Sequence, residues 1–585
     1  MGSGMLHLWN EWEIQILVLV SFALQVFLLV FAWLRRRSIS PALGVLVWLM
    51  YLLAEYTATY TLGHMSIGCK EADKKQQQLM AFWAPFLLVH LGGQDTITAY
   101  AIEDSQLWLR HLLTFTVQAF GAAYVLYKGI RGPLVTPSAV MFLVGVLKNG
   151  ERVWALGFSR LDIIRRYLDG VSIKQNHNKV HRESSLDDEC VLQGAHDLLY
   201  ICMGQFVDDK IWPSVFQKDA LDHFSGHRRT IDLAEMQLSL MCDIFYTKAA
   251  VIHTWYGRCV RAMSLLGTAA AFFLFRFSKD SGYNRVDVAV TDILVIGAFL
   301  LETTSVLRAM GSTWTCAMLK AIKWDWLHHL HELVLEEIQR MVKACAGKED
   351  VMSSYRGQCS LERLDGYNLT AVASTTGTEF DQSILTWHLA THKLLSKSTS
   401  SSTATDGDQE AIVRQKQQQQ QLVEATRVVS NYMMFLLVER PHMLPSPVRP
   451  TLHLKARQQL MERPHSSYWY PSPVQARGHN TDDQVVTLAG AQLGDQLVQI
   501  KESGMTELTL LRVVLGVWVE MLCYAAHHCS RESHASQLNN GGEFITIVWL
   551  LTTAEFNRKY ANEAEFKERT RGSIWNFMNF LNSTF

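Results

Sequence analysis

The sequence predicts an all-α protein with about seven transmembrane helices, a mainly helical cytosolic insert and a mainly helical cytosolic C-terminal domain. Apolar runs near the ~20 residues that cross a bilayer recur through the first half of the chain. Over the 585 residues, hydrophobic residues make up 49% and charged residues 19%, and the mean hydropathy is +0.04. These averages suit a chain that is partly embedded in a membrane and partly exposed to water. Patterns typical of strands are weak throughout.

Charge and short motifs exclude several classes of function. Net charge is −1, and Lys and Arg form no long basic stripe, so we expect no nucleic-acid partner. The ten cysteines include no C-x-x-C pair, which argues against a disulfide framework. No G-x-S-x-G, H-E-x-x-H or dinucleotide-binding motif occurs, so nothing indicates an enzyme or a cofactor.

The positive-inside rule orients the first predicted span. Glu11 and Glu13 precede it and arginines 35–37 follow it, so the N-terminus is expected outside and the C-terminus, after seven spans, inside. The predicted spans are 14–34, 42–62, a third from residue 80 into the segment 90–111, then 112–127, 134–147, 263–277 and 286–307. The third and the fifth could also be re-entrant segments.

The domain organisation follows from these spans and from the composition between them. Residues 234–257 show helical periodicity and are predicted to form one amphipathic helix that leads into the sixth span. Residues 396–422 are rich in Ser, Thr and Gln and are predicted to be disordered. The predicted parts are spans one to five (1–156), a cytosolic helical insert (157–258), spans six and seven (259–308), a cytosolic helical region (309–395), a low-complexity linker (396–429), a Pro-rich segment (430–483) and a C-terminal helical domain (484–585).

Several long motifs resemble a known pair of families. "HLGGQDTITAYAIEDSQLWLRH" (90–111), "LKNGERVWAL" (147–156) and "LSLMCDIFYTKAAVIH" (238–253) resemble the plant membrane family called domain of unknown function 4220. "VWVEMLCYAAHHCSRESHASQLNNGGEFITIVWLL" (517–551) is similar to its usual companion, domain of unknown function 594. The resemblance implies a plant integral membrane protein with a cytosolic C-terminal domain, and it implies no reaction.

Carboxylates inside the predicted spans are the strongest physical signal, because each costs at least about 2.5 kcal/mol at the bilayer centre. Tyr51, Glu55 and Thr59 share one face of the second helix. Beside Asp95, Gly92 and Gly93 can break the third helix and expose backbone carbonyl groups. One hypothesis is a cation path or proton relay, as in broken-helix transporters. Its candidate residues are Glu55, Asp95, Asp292 and Glu302.

The alternative hypothesis is that these carboxylates form structural ion pairs. Lys148, Glu151 and Arg152 lie within about one helical turn and can pair with each other or with neighbouring spans. Arg110 is a further candidate partner. The sequence leaves both hypotheses open.

A metal site is a third candidate. His388 and His392 are four residues apart and share a helical face, as do Cys523 and His527. His534 lies on the face of Cys523 but too far along a helix to bind the same ion. A zinc site would combine the two pairs, whereas scattered His and Cys usually serve packing.

Two functions therefore remain. The first is a membrane-anchored interaction or signalling protein, with cytosolic protein partners and with the helix 509–526 as a contact surface. The second is an ion channel or transporter that uses the four carboxylates. In both cases the lipid bilayer is a partner, and the plasma membrane and the endoplasmic reticulum are both compatible with the sequence.

Overall fold

In the residues that the computed structural model describes, every regular element is a helix. These residues are 2–35, 41–67, 74–170, 188–207, 230–278, 283–312, 354–362, 375–398, 409–449, 482–538 and 544–560, with isolated positions at 314, 337, 340, 452 and 454. No strand occurs in these ranges, so the all-α prediction is confirmed. Two compact units divide the chain: Met1–Asp325 with Ala535–Glu543 and Ala561–Phe585, and Trp326–His534 with Phe544–Tyr560.

The first unit is a bundle of long helices followed and interrupted by shorter ones. In chain order its helices are α1 (Gly2–Arg35), α2 (Pro41–Ile67), α3 (Lys74–Leu91), α4 (Ile102–Gln106), α5 (Trp108–Gly129), α6 (Val135–Phe158), α7 (Leu161–Gly170), α8 (Asp188–Asp197), α9 (Leu199–Val207), α10 (Thr230–Tyr246), α11 (Ala249–Ile252), α12 (Trp255–Ser278) and α13 (Arg285–Met310). A 3₁₀ turn, Gly132–Leu134, precedes α6.

Helix α3 is the centre of this bundle. It packs against α1, α2, α5, α6 and α13. Every residue from Leu79 to Leu91 is buried, because the helix is apolar on all sides after its polar start at Lys74. Pro85 lies within it. The first part of the predicted third span is thus enclosed by other helices of the unit.

The outside of the bundle carries rows of exposed large apolar side chains. On α2 and α5 they recur every three or four residues, which places each row on one helical face. The two rows are Val45, Leu49, Leu53, Tyr56 and Tyr60, and Leu109, Leu113, Val117, Phe120 and Tyr124. A soluble protein rarely exposes such contiguous apolar surface, whereas lipid covers it without cost. This surface is compatible with a membrane protein.

Among the residues that the structure describes, five helices are long and apolar enough to cross a membrane. Four belong to the bundle and correspond to the first, second, fifth and sixth predicted spans: Trp12–Ala32, Ala42–Ile67, Gly132–Phe158 and Trp255–Phe277. The fifth, Glu507–His528, belongs to the second unit. The predicted number of seven spans is not confirmed. Arg36 and Arg37, which helped to orient the first span, lie outside the described residues.

The predicted continuous helix over 234–257 is wrong. The chain forms α10, α11 and the start of α12, with breaks at Thr247–Lys248 and His253–Thr254. At the first break, the Lys248 backbone N–H donates to the Asp95 carbonyl at 3.2 Å, outside any helix. The local periodicity predicts a continuous helix, but this tertiary contact accompanies a break at Lys248. The Lys248 side chain is buried.

The second unit has its own core. Its helices are α14 (Gln358–Glu362), α15 (Phe380–Ser398), α16 (Gln409–Glu439), α17 (Asp482–Glu502), α18 (Glu507–His528), α19 (Arg531–Gln537, of which residues 531–534 belong to this unit) and α20 (Phe544–Tyr560). Within α18, residues 510–526 are buried with the exception of the half-buried Arg512. The prediction that residues 509–526 offer a contact surface is therefore wrong, because the helix is buried on all sides.

The low-complexity segment is also more ordered than predicted. Helix α16 begins at Gln409, so at least residues 409–422 are helical, and residues 399–408 lie outside the described part. Gln and Lys favour helices. Later in the same helix, Leu422, Val429 and Met433 are buried. In the Pro-rich segment, a 3₁₀ turn at Pro441–Met443 follows α16, and residues 455–481 lie outside the described part.

Candidate functional site

The glycine pair after α3 forms the predicted break. Helix α3 ends at Leu91, and the next helix begins at Ile102. Gly93 has a φ of +66°, a conformation that favours glycine. A Cβ added to Gly92 would lie 2.9 Å from the Lys148 Cβ, so glycine here allows α3 to approach α6 closely. The Gly92 and Gly93 N–H groups donate to the carbonyl groups of Leu88, Val89 and His90, and the break leaves the next two carbonyl groups, of Leu91 and Gly92, to side-chain donors.

Asp95 lies just beyond the break and faces two cations. Arg261 Nη2 donates to Asp95 Oδ1 at 2.6 Å, and Lys248 Nζ lies 3.8 Å from the same oxygen. The Ser305 hydroxyl donates to Asp95 Oδ2 and accepts a hydrogen bond from Arg261 Nη1 at 2.7 Å. Both oxygens of this carboxylate are thus partnered by the protein.

Two further carboxylates complete the group. Glu151 Oε2 accepts from Arg261 at 2.7 Å and lies 3.6 Å from Lys248 Nζ, and its side chain is fully buried. Glu302 accepts from Lys148, with side-chain exposures of 1% and 6%. We call Asp95, Glu151, Glu302, Lys148, Lys248 and Arg261 the buried charge cluster. It contains three negative and three positive side chains, so its formal charge is balanced.

Cationic side chains also donate hydrogen bonds to the carbonyl groups exposed by the break. Lys248 Nζ donates to the Gly92 carbonyl at 2.8 Å, and Arg152 Nη1 donates to the Leu91 carbonyl at 2.8 Å. A permeating cation would use such carbonyl oxygens as ligands. Here the protein's own ammonium and guanidinium groups hold those positions.

Glu55 pairs with Arg152 beside this cluster. The nearest oxygen of Glu55 lies 3.7 Å from Arg152 Nη2, which also donates to the Tyr51 hydroxyl at 3.1 Å. A cavity of about 10 Å³ adjoins the pair, room for about one water. It is lined by Glu55, Leu91, His111, Thr114, Gln118, Asn149, Arg152, Val153 and Leu156.

Two of the residues proposed from the sequence lie apart from the cluster. Asp292 is half-buried, and its Oδ2 lies 3.9 Å from Arg276 Nη1. Arg110 is exposed and makes no ion pair with any residue of the described part of the chain. The structure therefore brings Asp95 and Glu302 together with Lys148 and Glu151, places the Glu55–Arg152 pair beside them, and leaves Asp292 and Arg110 elsewhere.

Sequence reasoning missed three members of this arrangement. Lys248 was assigned to a continuous helix, Arg261 lies two residues before the predicted sixth span, and Ser305 carried no signal of its own. The available signal for Arg261 was its position in the first half of an apolar helix, because a charged side chain inside a span usually pairs with an opposite charge.

The arrangement suits the joining of helices. Ion pairs of the buried charge cluster connect the segment after α3, the second half of α6, the α10–α11 junction, the first half of α12 and the end of α13. Removing one partner of a buried pair leaves an uncompensated charge, which typically costs 3–5 kcal/mol, so the charges hold one another in place.

The four proposed metal ligands are all described, and the structure does not group three of them. No three His, Cys, Asp or Glu side chains in the described residues lie close enough to hold a metal ion. His388 hydrogen-bonds Ser430 at 2.9 Å, and burial lowers its pKa to about 4. Helix α18 ends at His528, so His534 does not continue the face of Cys523.

Two family models match the chain, and they are the two families that its sequence motifs resemble. A model described as domain of unknown function (DUF4220) matches residues 48–369, more than half of the chain. The chain belongs to the DUF4220 family. A second model, protein of unknown function, DUF594, matches residues 504–554, which include α18 and α19. All six members of the buried charge cluster lie within the DUF4220 match. No curated protein and no solved structure matches this DUF4220 protein.

Proposed function

We propose that this DUF4220 protein is a membrane-anchored interaction or signalling protein. In this proposal the helical bundle is the anchor, in the plasma membrane or the endoplasmic reticulum of a plant cell. The second unit lies in the cytosol and binds a protein partner. The observation that carries the proposal is the Gln-rich start of α16, where residues 415–421 are exposed, with only Gln419 half-buried.

The exposed stretch has the chemistry of a partner surface. Its side chains are Gln and Lys, which offer hydrogen-bond donors and acceptors in a row along a helix that is already formed. A preformed helix loses little conformational entropy on binding. The same helix is anchored in its unit from Leu422 onward, where the inward positions are buried.

The buried charge cluster supports the anchor function over transport. Asp95 and Glu302 are neutralised by cations of the chain, as is Glu55 beside them, and the carbonyl groups at the helix break are engaged by Lys248 and Arg152. A conduction path needs binding sites that ions can enter and leave.

A photocrosslinking amino acid tests the partner surface in the full chain expressed in native membranes. We expect discrete protein adducts when it replaces Gln418. No such adduct should form at Gln492, an exposed glutamine of α17 in the same unit. Deletion of residues 384–585 should abolish partner binding. Identical adducts from both positions would contradict the assignment of the surface.

The transport alternative makes an opposite prediction for reconstituted liposomes. A cation flux through the wild-type chain that disappears in E55Q and D292N, with both variants still folded, would overturn the anchor proposal. We expect no flux above that of empty liposomes. E55Q and D292N leave the buried charge cluster intact, so loss of fold does not obscure the comparison.

A further inference from the structure

Asp287 differs from the other carboxylates inside the bundle. Glu55, Asp95, Glu151, Asp292 and Glu302 each have a basic side chain within 4 Å. Asp287 is 1% exposed, and no basic residue in the described part of the chain pairs with it. Among the described residues, its negative charge therefore has no positive partner.

Polar groups from three helices meet at this carboxylate. Gln15 of α1 donates through Nε2 to Asp287 Oδ1 at 3.1 Å, and Gln76 of α3 interacts with the same carboxyl group. Asp287 Oδ2 and Gln15 Oε1 are buried and have no hydrogen-bond partner among the described atoms. Gln15 itself is 4% exposed. Two acceptor oxygens thus remain unsatisfied at one place.

The backbone behind the site is fixed by a chain of hydrogen bonds. Trp83 Nε1 donates to Thr291 Oγ1 at 2.8 Å, and Thr291 donates to the Asp287 carbonyl at 2.7 Å. Asp287 also lies in the first turn of α13, where the helix dipole favours a negative charge. These features keep the carboxylate in position, but they do not supply a donor to its second oxygen.

We propose that Asp287 and Gln15 bind a small monovalent cation such as Na⁺ or K⁺. Hard cations take oxygen ligands, and a buried carboxylate without a counter-charge is strongly disfavoured. A single carboxylate matches a single positive charge better than a divalent ion. The residues just before Asp287, from Asn284 to Val286, are exposed, so the site lies in the first turn of α13 beside exposed residues.

Thermal unfolding of the full chain in nanodiscs tests the site. Na⁺ or K⁺ is exchanged for N-methylglucamine at constant ionic strength, and the unfolding temperature is followed by tryptophan fluorescence. Ligand bound only to the folded state raises this temperature. We expect a rise for the wild-type protein with at least one of the two cations. The cation with the lower half-saturating concentration is the preferred one.

Three variants distinguish a specific site from a general salt effect. D287N should lose the cation-dependent rise, and D292N, a carboxylate of the same helix with a basic partner, should retain it. Q15M keeps the charge of Asp287 but removes one oxygen ligand, so its half-saturating concentration should increase about tenfold. Q15M also provides the test if D287N does not fold.

Two results would overturn the proposal. One is a wild-type unfolding temperature that does not respond to either cation, with D287N at least as stable as the wild type, which would show that Asp287 is held as the neutral acid. The other is an equal response of the wild type, D287N and Q15M, which would place the cation effect elsewhere.

Discussion

Gly92 allows the end of α3 to lie directly against α6. A Cβ at this position would lie 2.9 Å from the Lys148 Cβ and 3.1 Å from the Lys148 carbonyl carbon, which belongs to a helix backbone and cannot move alone. We expect G92A to lower the free energy of unfolding by about 2 kcal/mol, the usual cost of overpacking a close contact. Thermal or denaturant unfolding in nanodiscs measures the change.

Gly150 provides the matched control because it lies on α6, two residues after Lys148. A Cβ there would meet no atom within 4 Å. G150A should be neutral or should stabilise the helix by up to about 1 kcal/mol. Equal destabilisation by both variants would show that the contact with Lys148 is not the cause.

At the same scale, the sequence identified the acids of the buried charge cluster better than its bases. Asp95 and Glu302 stand out because carboxylates are rare in apolar spans. Lys248 and Arg261 could not be assigned as their partners, because periodicity within a helix carries no information on which helices meet. Which basic side chains lie beside these carboxylates is visible only in the tertiary contacts.

Among the elements, the boundary between α18 and α19 had a signal that the sequence analysis did not use. Cys529 is extended, with φ −72° and ψ 141°, and the Ser530 hydroxyl accepts the Ser533 backbone N–H at 3.0 Å. A serine that bonds the N–H three residues on marks a helix start. The face shared by Cys523 and His534 on one long helix was therefore a wrong expectation.

His534 joins α18, α19 and α20, and it is fully buried. Its Nε2 donates to the Ala526 carbonyl at 3.0 Å, its Nδ1 accepts from Thr546 at 3.0 Å, and its ring stacks on Trp549 with centroids 4.5 Å apart. Both nitrogens of the neutral ring are thus satisfied. Burial lowers the pKa of His534 to about 4, compared with 6.5 for an ordinary histidine.

This pKa predicts a loss of stability in acid. Between pH 6.5 and about pH 4 the unfolded chain binds a proton at His534 that the folded chain does not, so the free energy of unfolding falls as the pH falls. The expected loss is up to about 3 kcal/mol for full burial. Hydrogen exchange of peptides from 531–538 and 544–553 in the full chain, corrected for intrinsic rates, measures it.

H534F keeps an aromatic ring to stack on Trp549 but has no group to protonate. We expect this variant to be less stable at pH 7 and to lose the part of the pH dependence that His534 causes. H392Q, a change of an exposed histidine on α15, should behave like the wild type. An unchanged pH profile in H534F would assign the acid sensitivity to other groups.

At the scale of the whole molecule, hydropathy and length alone do not separate a membrane span from a core helix. Helix α18 has the length and composition of a span, but its residues are buried within the second unit. The exposed large apolar residues of that unit are only Val438 and Leu454 among those described, whereas the bundle exposes whole rows. Burial by neighbouring elements is a tertiary property, and a single sequence does not encode it locally.

Two native N-x-[ST] sequons test this difference, because Asn368 precedes α18 in the chain and Asn582 follows it. If α18 is a core helix, both asparagines lie on the same side of the membrane, and with a cytosolic C-terminal unit neither is glycosylated. We expect this result when the full chain is synthesised with microsomes, together with glycosylation of a sequon engineered before Trp9. Modification of Asn582 but not Asn368 would show that α18 crosses the membrane, and modification of both would place the unit in the lumen.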